Sequence, residues 1–393
     1  MNTQCVCCPT DLAATNVNKP FTSTESSFMS MNRRKFLTTG IGATAAAGTL
    51  VAPGIAQAAG KETYKFKMTC AYPGGAPFYS IGPGSATDFI KRVEAMSEGR
   101  IKIKFYAAGE LVPALGGFDA VRQGTVDMNW GNAYFWAGKS FAAQYFTAVP
   151  FGMDALSMNA WLYEGGGQAL WDEVYAPFGL KALPGGNTGM QMTGWFRKPI
   201  KTVDDFKGLR MRIPGLAGKV YEKLGVSVKL LPGGEIFPAL QRGVIDAAEF
   251  VGPYQDRKLG LMNAAKYYYM TGWHEPSNVS ELLMNKKTWE SLPPDLQAVI
   301  ENAAAATNQA GFVWSNANNA EALEDLVKNH GVKVDSLSDE IIETLRKLTF
   351  ETLDELTAKD PLAKKVHDHY FAYKEKADAW LNISEAVVLN KNL

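Results

Sequence analysis

Hydrophobic positions along the chain change period in a regular order. Tyr64, Phe66 and Met68 alternate with Lys65 and Lys67, the two-residue period of a half-buried strand. Phe89, Ile90, Val93 and Met96 then recur at helical spacing over Ala86 to Met96, with Lys91, Arg92 and Glu94 facing outward. Gly99 stops that helix, and Ile101, Ile103 and Phe105 alternate again. Strand, helix, strand is a βαβ unit, and its parallel sheet predicts an α/β protein.

The pattern then returns. Phe118-Asp119-Ala120-Val121-Arg122-Gln123-Gly124-Thr125-Val126-Asp127 aligns with Phe237-Pro238-Ala239-Leu240-Gln241-Arg242-Gly243-Val244-Ile245-Asp246, every pair offset by 119 positions. In each copy a short helix ends at Gly and turns into a strand near an Asp. A second strand-helix-strand module runs from Met211-Arg212-Ile213 through Val220, Tyr221 and Leu224 to Gly225, then Val226, Val228 and Leu230. Two similar α/β lobes are the economical reading, and copies this long are not the units of a stacking solenoid. Ligands in such folds sit in a cleft at the carboxyl ends of strands. Beyond Thr288 the chain turns helical. Ser291-Leu292-Pro293-Pro294 caps a helix with Leu296, Val299 and Ile300 that continues through an Ala-rich stretch. Further helices are expected at 339–359 and, after Pro361, through Val366, Tyr370, Tyr373, Ala377 and Trp380.

The start of the chain sets a compartment. Arg33-Arg34-Lys35-Phe36-Leu37, a weakly apolar run to Val51 and Ala56-Gln57-Ala58 read together as a twin-arginine export leader over 1–58, with Met31 a candidate initiator. The run is too short and too rich in Gly and Thr to span about 30 Å of hydrocarbon. Cleavage removes four basic and two acidic residues and leaves a net charge of −2. It also removes Cys5, Cys7 and Cys8, so the exported chain keeps Cys70 alone and forms no internal disulfide in an oxidising periplasm. The whole chain has 393 residues, 40 Lys plus Arg and 40 Asp plus Glu. A balance of zero leaves no global field to gather nucleic acid or an anionic membrane, so a charged ligand must be held locally.

The local candidate is Lys207-Gly208-Leu209-Arg210-Met211-Arg212-Ile213-Pro214. Alternation puts Arg210 and Arg212 on one strand face, where a planar guanidinium can grip a carboxylate through two parallel bonds. The competing reading of an isolated Arg is a structural ion pair.

Four ordered motifs carry a resemblance. They are Gly186-Asn187-Thr188-Gly189-Met190-Gln191 with Gly194-Trp195-Phe196, the Arg212 strand, Asp246-Ala247-Ala248-Glu249-Phe250-Val251-Gly252-Pro253-Tyr254, and Gly272-Trp273-His274-Glu275-Pro276. In this order they resemble the solute-binding proteins of TRAP transporters, the tripartite ATP-independent periplasmic systems, and most of all the branch that binds 2-oxo acids and lactate. The resemblance implies a two-lobed periplasmic-binding-protein-like fold with a ligand cleft and a helical C-terminal extension. It makes Arg212 the carboxylate clamp. It implies a Na⁺ or Ca²⁺ ion bridging ligand and protein, held by the Gln191 amide oxygen, Glu249, the Phe250 carbonyl and Glu275; these are hard oxygen donors, as such ions require. Asn187 and Tyr134 are candidate hydrogen-bond partners of the ligand, against readings as a turn-forming Asn and a half-buried core Tyr. Trp195 is expected to line the cleft rather than make a polar contact. Phe250 stands where relatives often carry Trp, which shortens the aromatic wall and removes an indole donor. Glu249 and Glu275 together should repel without an ion.

The implied division is 59–185 with 276–310 as lobe I, 186–275 with 311–355 as lobe II, and 356–393 as a C-terminal helix that can join two protomers in a dimer. The implied partners are a small organic monocarboxylate and the TRAP membrane subunits. The competing class is a twin-arginine-exported periplasmic enzyme acting on a small organic acid, with His274 as general base beside Glu275. The sequence has no Gly-x-Ser-x-Gly elbow, phosphate loop, haem-attachment Cys pair or His-Glu-x-x-His for it. His367 and His369 fall on different helix faces and read as solvated.

Overall fold

The computed structural model describes residues 62–270 and 272–391. The twin-arginine motif, Met31 and the cysteines at 5, 7 and 8 lie outside the described residues. Eleven strands are present among the described residues: β1 (Tyr64–Cys70), β2 (Ile101–Tyr106), β3 (Met128–Gly131), β4 (Leu180–Asn187), β5 (Gly194–Phe196), β6 (Arg210–Arg212), β7 (Ser227–Lys229), β8 (Ala247–Ala248), β9 (Tyr267–Met270), β10 (Val279–Asn285) and β11 (Lys333–Ser336). The first βαβ unit forms as its periods predict. Ser85 accepts the Asp88 amide and caps the helix Ala86–Met96, which turns Ala86, Phe89 and Val93 inward, and β1 pairs with β2 in parallel.

Two sheets result, ordered β2-β1-β3-β10-β4 and β11-β9-β5-β8-β6-β7. Without β11, the second reads β7-β6-β8-β5-β9 and matches the first strand for strand. In both, the first three strands are parallel and the fourth runs antiparallel to its two neighbours. The sheets are therefore mixed rather than parallel throughout. The physical reason is the crossing of the chain, since β10 and β5 each arrive from the other sheet and enter running the opposite way.

The 119-residue repeat has a structural cause. Asp127 accepts the Lys67 amide at 2.8 Å and donates its own amide to the Lys67 carbonyl at 3.0 Å. Asp246 does the same to Arg210, at 3.0 and 2.7 Å. Each Asp thus ties the start of the third strand, β3 or β8, to its parallel neighbour, β1 or β6.

The chain passes between the sheets in the segments 188–193 and 272–278, and again along one helix, Pro294–His330. Its 37 residues extend about 55 Å at 1.5 Å per residue. That helix reaches the first lobe through Asn308, which donates to Asn159 at 2.9 Å, and the second through Ser315, which accepts from Gln255 at 3.0 Å. β4 continues to Asn187, two residues past the expected lobe boundary, because Asn187 still pairs with Val279. The expected strand at Val226–Leu230 shortens to Ser227–Lys229. An apolar cluster runs from Met68 and Trp130 of the first lobe through Tyr72, Tyr79 and Phe250 to Trp195 and Tyr268 of the second.

The helix Pro361–Leu381 packs its first half on the first lobe. The buried Tyr370 hydroxyl accepts the Met153 amide at 2.7 Å. His367 and His369 are not simply solvated: His367 Nδ1 is 2.8 Å from the Tyr145 hydroxyl, and His369 Nδ1 accepts the Trp161 indole N–H at 3.0 Å. Farther on, Trp380, Ile383 and Leu389 are 65, 72 and 76% exposed. Cys70 is a free, buried thiol that desolvation pushes up to about 12. No helix among the described residues is long and apolar enough to cross a membrane.

Candidate functional site

Parallel pairing of β6 with β8 brings Arg212 opposite Ala248, one residue before Glu249, so the carboxyl ends of the two strands deliver a guanidinium and a carboxylate to one spot. Both side chains are buried. Arg212 Nη1 donates to Glu249 Oε2 at 3.0 Å and to the Glu249 carbonyl at 2.5 Å, and Nε donates to the Leu231 carbonyl at 3.2 Å. Its other terminal nitrogen, Nη2, has no acceptor among the described residues. The fork is thus fixed on one side and open on the other.

The two crossing segments add oxygen. The Gln191 amide donates to the Glu275 carbonyl at 3.1 Å and the Met192 amide to the Val251 carbonyl at 2.9 Å, so one crossing is bonded both to the other and to the residues after Glu249. This approach requires Gly272, whose missing Cβ would lie 2.0 Å from the Gln191 carbonyl oxygen. Glu249, His274 and Glu275 each place a polar atom within 4.8 Å of the others. Burial first, and then the Glu249 charge, hold the Glu275 carboxyl well above the usual carboxylate range. Asn278 offsets part of this by donating to Glu275 Oε2 at 2.7 Å.

Gln191 Oε1, Glu249 Oε1 and both ring nitrogens of His274 are buried without a hydrogen-bond partner among the described residues. His274 Nε2 stands 3.7 Å from Glu249 Oε1. No donor among the described residues points at the Phe250 carbonyl. Orphaned buried oxygens are costly unless something binds them. Oxygens from an amide, two carboxylates and a carbonyl fit a hard cation, and the open guanidinium edge fits an anion.

The other lobe closes the site with neutral aromatics. Tyr134, which is buried rather than half-buried, accepts from Asn278 at 3.3 Å. Tyr72 donates to Asn132 and stacks on Tyr79, ring centres 3.7 Å apart. Burial, and for Tyr79 and Tyr134 the Glu275 charge next, keep these hydroxyls protonated.

Arg212, Gln191, Glu249, Phe250, Glu275 and Tyr134 are therefore brought together, and two other expected residues are directed elsewhere. Asn187 has the turn-forming role, its Oδ1 accepting the Gly189 amide at 2.8 Å and its Nδ2 donating to Asn159 at 3.3 Å. Trp195 does make a polar contact, donating to Asp256 Oδ2 at 2.8 Å, because it is fully buried behind the site and its indole N–H needs an acceptor there.

Residues 80–360 match the family of bacterial extracellular solute-binding proteins, family 7. The chain belongs to that family. Among relatives of this solute-binding protein, the monocarboxylate 2-oxoacid-binding periplasmic protein of Nostoc sp. is 43% identical over 328 residues, which cover 83% of this chain and 88% of the relative. Among solved structures, the TRAP periplasmic solute-binding protein of Colwellia psychrerythraea, with bound calcium and pyruvate, superimposes with a TM-score of 0.80 at 38% identity. It covers 84% of this chain and all (100%) of that one. The counterpart from Pseudoalteromonas atlantica T6c, with bound sodium and pyruvate, gives 0.80 at 37% identity over 84% and 99% of the two chains.

Sequence reading of this solute-binding protein missed Tyr72, Tyr79, Asn132 and Asn278. Tyr72 follows β1 by two residues and Asn132 follows β3 by one, so the rule that ligands lie at strand carboxyl ends contains the signal. Asn278 lies one residue before β10 and bonds Glu275 three positions back, a local contact with no pattern of its own.

Proposed function

We propose that this protein is the periplasmic receptor of a TRAP transporter and captures a small 2-oxo or 2-hydroxy monocarboxylate together with Na⁺ or Ca²⁺. The observation that carries this is one buried cluster in which the unpartnered oxygens of Gln191 and Glu249 and the raised carboxyl of Glu275 stand with Arg212, whose outer nitrogen has no acceptor. The lobes are 59–185 with 276–310, which includes β10 of the first sheet, and 186–275 with 311–355.

Arg212 grips the acid's carboxylate through Nη2 and is itself oriented by Glu249 and Leu231. Gln191, Glu249, the Phe250 carbonyl and Glu275 hold the cation, which supplies positive charge for the second oxygen of the acid. The charges then balance: Arg212, two carboxylates, one acid anion and a divalent ion sum to zero, so the assembly can be buried at a tolerable desolvation cost. With a monovalent ion the same sum is reached by a protonated Glu275, the form its raised pKa favours. Tyr134 and Asn278 contact the acid from the other side, and hinge closure over both ligands yields the form that docks on the membrane subunits.

Calorimetric titration of chelator-dialysed protein with pyruvate, lactate and longer 2-oxo acids, with and without Na⁺ or Ca²⁺, tests this reading. Heat that requires both acid and cation is expected; equal binding of the acid in chelator rejects the bridging ion.

Two finer readings go with it. Export follows the twin-arginine route, so Lys at both Arg33 and Arg34 should leave the precursor in the cytoplasm. The exposed Trp380, Ile383 and Leu389 form a dimer seam along the C-terminal helices. Ile383→Glu with Leu389→Glu should convert a dimer to monomers in sedimentation velocity; a monomeric wild type rejects the seam.

A further inference from the structure

Asp256 lies buried on the helix Pro253–Leu259, behind the residues assigned to the acid and the ion, and three donors converge on it. Its Oδ1 accepts the Val251 amide at 3.0 Å. Its Oδ2 accepts the Trp195 indole N–H and the Tyr268 hydroxyl, each at 2.8 Å. Trp195 is stacked on Tyr268 with ring centres 4.0 Å apart, so the two donors are held as one unit. Three donors and no acceptor suit a carboxylate in its ionised form, which they favour against the burial that pushes Asp256 up to about 7, so the charge is carried above that pH.

The Val251 amide and the Phe250 carbonyl are the two ends of a single peptide group. That group is planar and trans, so an anchored N–H fixes the opposite direction for its C=O. A negative acceptor on the N–H also polarises the peptide and raises electron density on the carbonyl oxygen. The same short segment is tied on its other side, where the Val251 carbonyl accepts the amide of Met192, next to Gln191.

We infer that Asp256 is a positioning residue of the cation site, which aims and strengthens the Phe250 carbonyl by holding the Val251 amide, while Trp195 and Tyr268 hold Asp256. This rests on the cation reading proposed above. It also gives Trp195 a function that needs no contact with the ligand.

The first lobe contains a natural control. Glu281 is equally buried and is clamped by the Trp136 indole N–H and by the Tyr175 hydroxyl at 2.9 Å, with no main-chain amide among its partners. The test is calcium affinity at fixed pyruvate, measured by calorimetry on the full chain after chelator dialysis, for wild type, Asp256→Asn, Asp256→Ala and Glu281→Gln. Outer-shell partners of metal ligands typically contribute about 10–100-fold in metal affinity. Asp256→Asn, which keeps an acceptor for Val251 but loses the charge, should weaken calcium by about tenfold, and Asp256→Ala by up to about a hundredfold. Glu281→Gln should lower thermal stability and leave calcium affinity within about twofold, since it touches no ligand-bearing peptide. If Asp256→Ala does not fold, the Asn and Gln variants decide. Unchanged calcium affinity in Asp256→Asn, or an equal loss in Glu281→Gln, overturns the role of Asp256 alone. Wild type that binds pyruvate equally well in chelator overturns the cation reading, and the inference with it.

Discussion

The two lobes share a scaffold and differ in chemistry. Their sheets have the same strand order and directions, the repeated Asp127 and Asp246 make the same pair of bonds, and each lobe buries a carboxyl between a Trp N–H and a Tyr O–H. At the carboxyl ends of the strands the likeness stops. The first lobe presents Tyr72, Asn132 and Tyr134, all neutral, whereas the second presents Arg212 and Glu249, with Glu275 and Gln191 on the crossings. The buried ion pair thus lies within one lobe. Opening the cleft separates neutral hydroxyls and amides from the charges and, among the described residues, splits no salt bridge between lobes, so closure can be governed by the ligand's own charge.

The largest effect should come from breaking the charged half. Arg212→Ala removes the clamp and also leaves Glu249 buried without its cation. Loss of measurable acid binding is expected, together with about 3–5 kcal/mol of stability, the usual result of removing one partner of a buried pair. The clamp and the structural ion pair offered by the sequence are not exclusive: 2% exposure and bonds to Leu231 and Glu249 make Arg212 structural as well. Retained affinity in calorimetry for this variant would end the assignment.

Next in size are the two clamped carboxyls. Burial pushes Glu281 up to about 7 from 4.5, and Asp256 up to about 7 from 3.8. Each folded-state pKa is raised, so each contributes stability that is fully present below its unfolded pKa and is lost as pH rises through about 7. Within that window one such group changes stability by at most about 1.4 kcal/mol per pH unit. Glu281→Gln should flatten the fall in denaturant-measured stability between pH 5 and 7.5 by one group's share, roughly 3 kcal/mol in all. An unchanged slope would mean that the Trp136 and Tyr175 donors already hold Glu281 ionised.

How much of this was legible depends on the range of the contacts. The βαβ units, the repeat and the C-terminal helices are written in local periods, and they form where Phe89, Val93 and Ile103 predict. The mixed direction of the sheets was not, because antiparallel β5 and β10 result from where the chain crosses, which no window of residues records. Six of the candidate site residues converge, since their motifs surround strand ends and crossings. Asn187 and Trp195 sit in the same motifs but face a turn and Asp256, and the direction of a side chain depends on partners 28 and 61 residues away. Asp256 itself reads in the sequence as an ordinary helix residue between Gln255 and Arg257.

Smaller effects sharpen the scaffold comparison. Gly124 and Gly243 occupy matching places in the repeat and are both left-handed, at φ of 73° and 70°. An added Cβ meets nothing at Gly124 and only the flexible end of Arg197 at Gly243. Alanine at either position should cost about 1–2 kcal/mol of backbone strain, nearly equal in the two lobes. Chemical denaturation of the two variants checks this, and a difference above about 1 kcal/mol would show that the two turns do not serve the same purpose.

The smallest effect is expected in the neutral half. Tyr134→Phe removes one hydroxyl that accepts from Asn278 at 3.3 Å and leaves the ring, with Gly215 packed against it, in place. A neutral hydrogen bond is worth about 0.5–1.5 kcal/mol, so acid affinity should fall by roughly threefold to tenfold in calorimetry, with the cation dependence unchanged. Asn278 keeps its stronger contact, the 2.7 Å bond to Glu275, so the variant isolates the first lobe's contribution from that of the charges. A loss as large as that of Arg212→Ala would place a principal ligand contact on the neutral lobe and remove the asymmetry between the halves; no loss at all would reduce Tyr134 to shape alone.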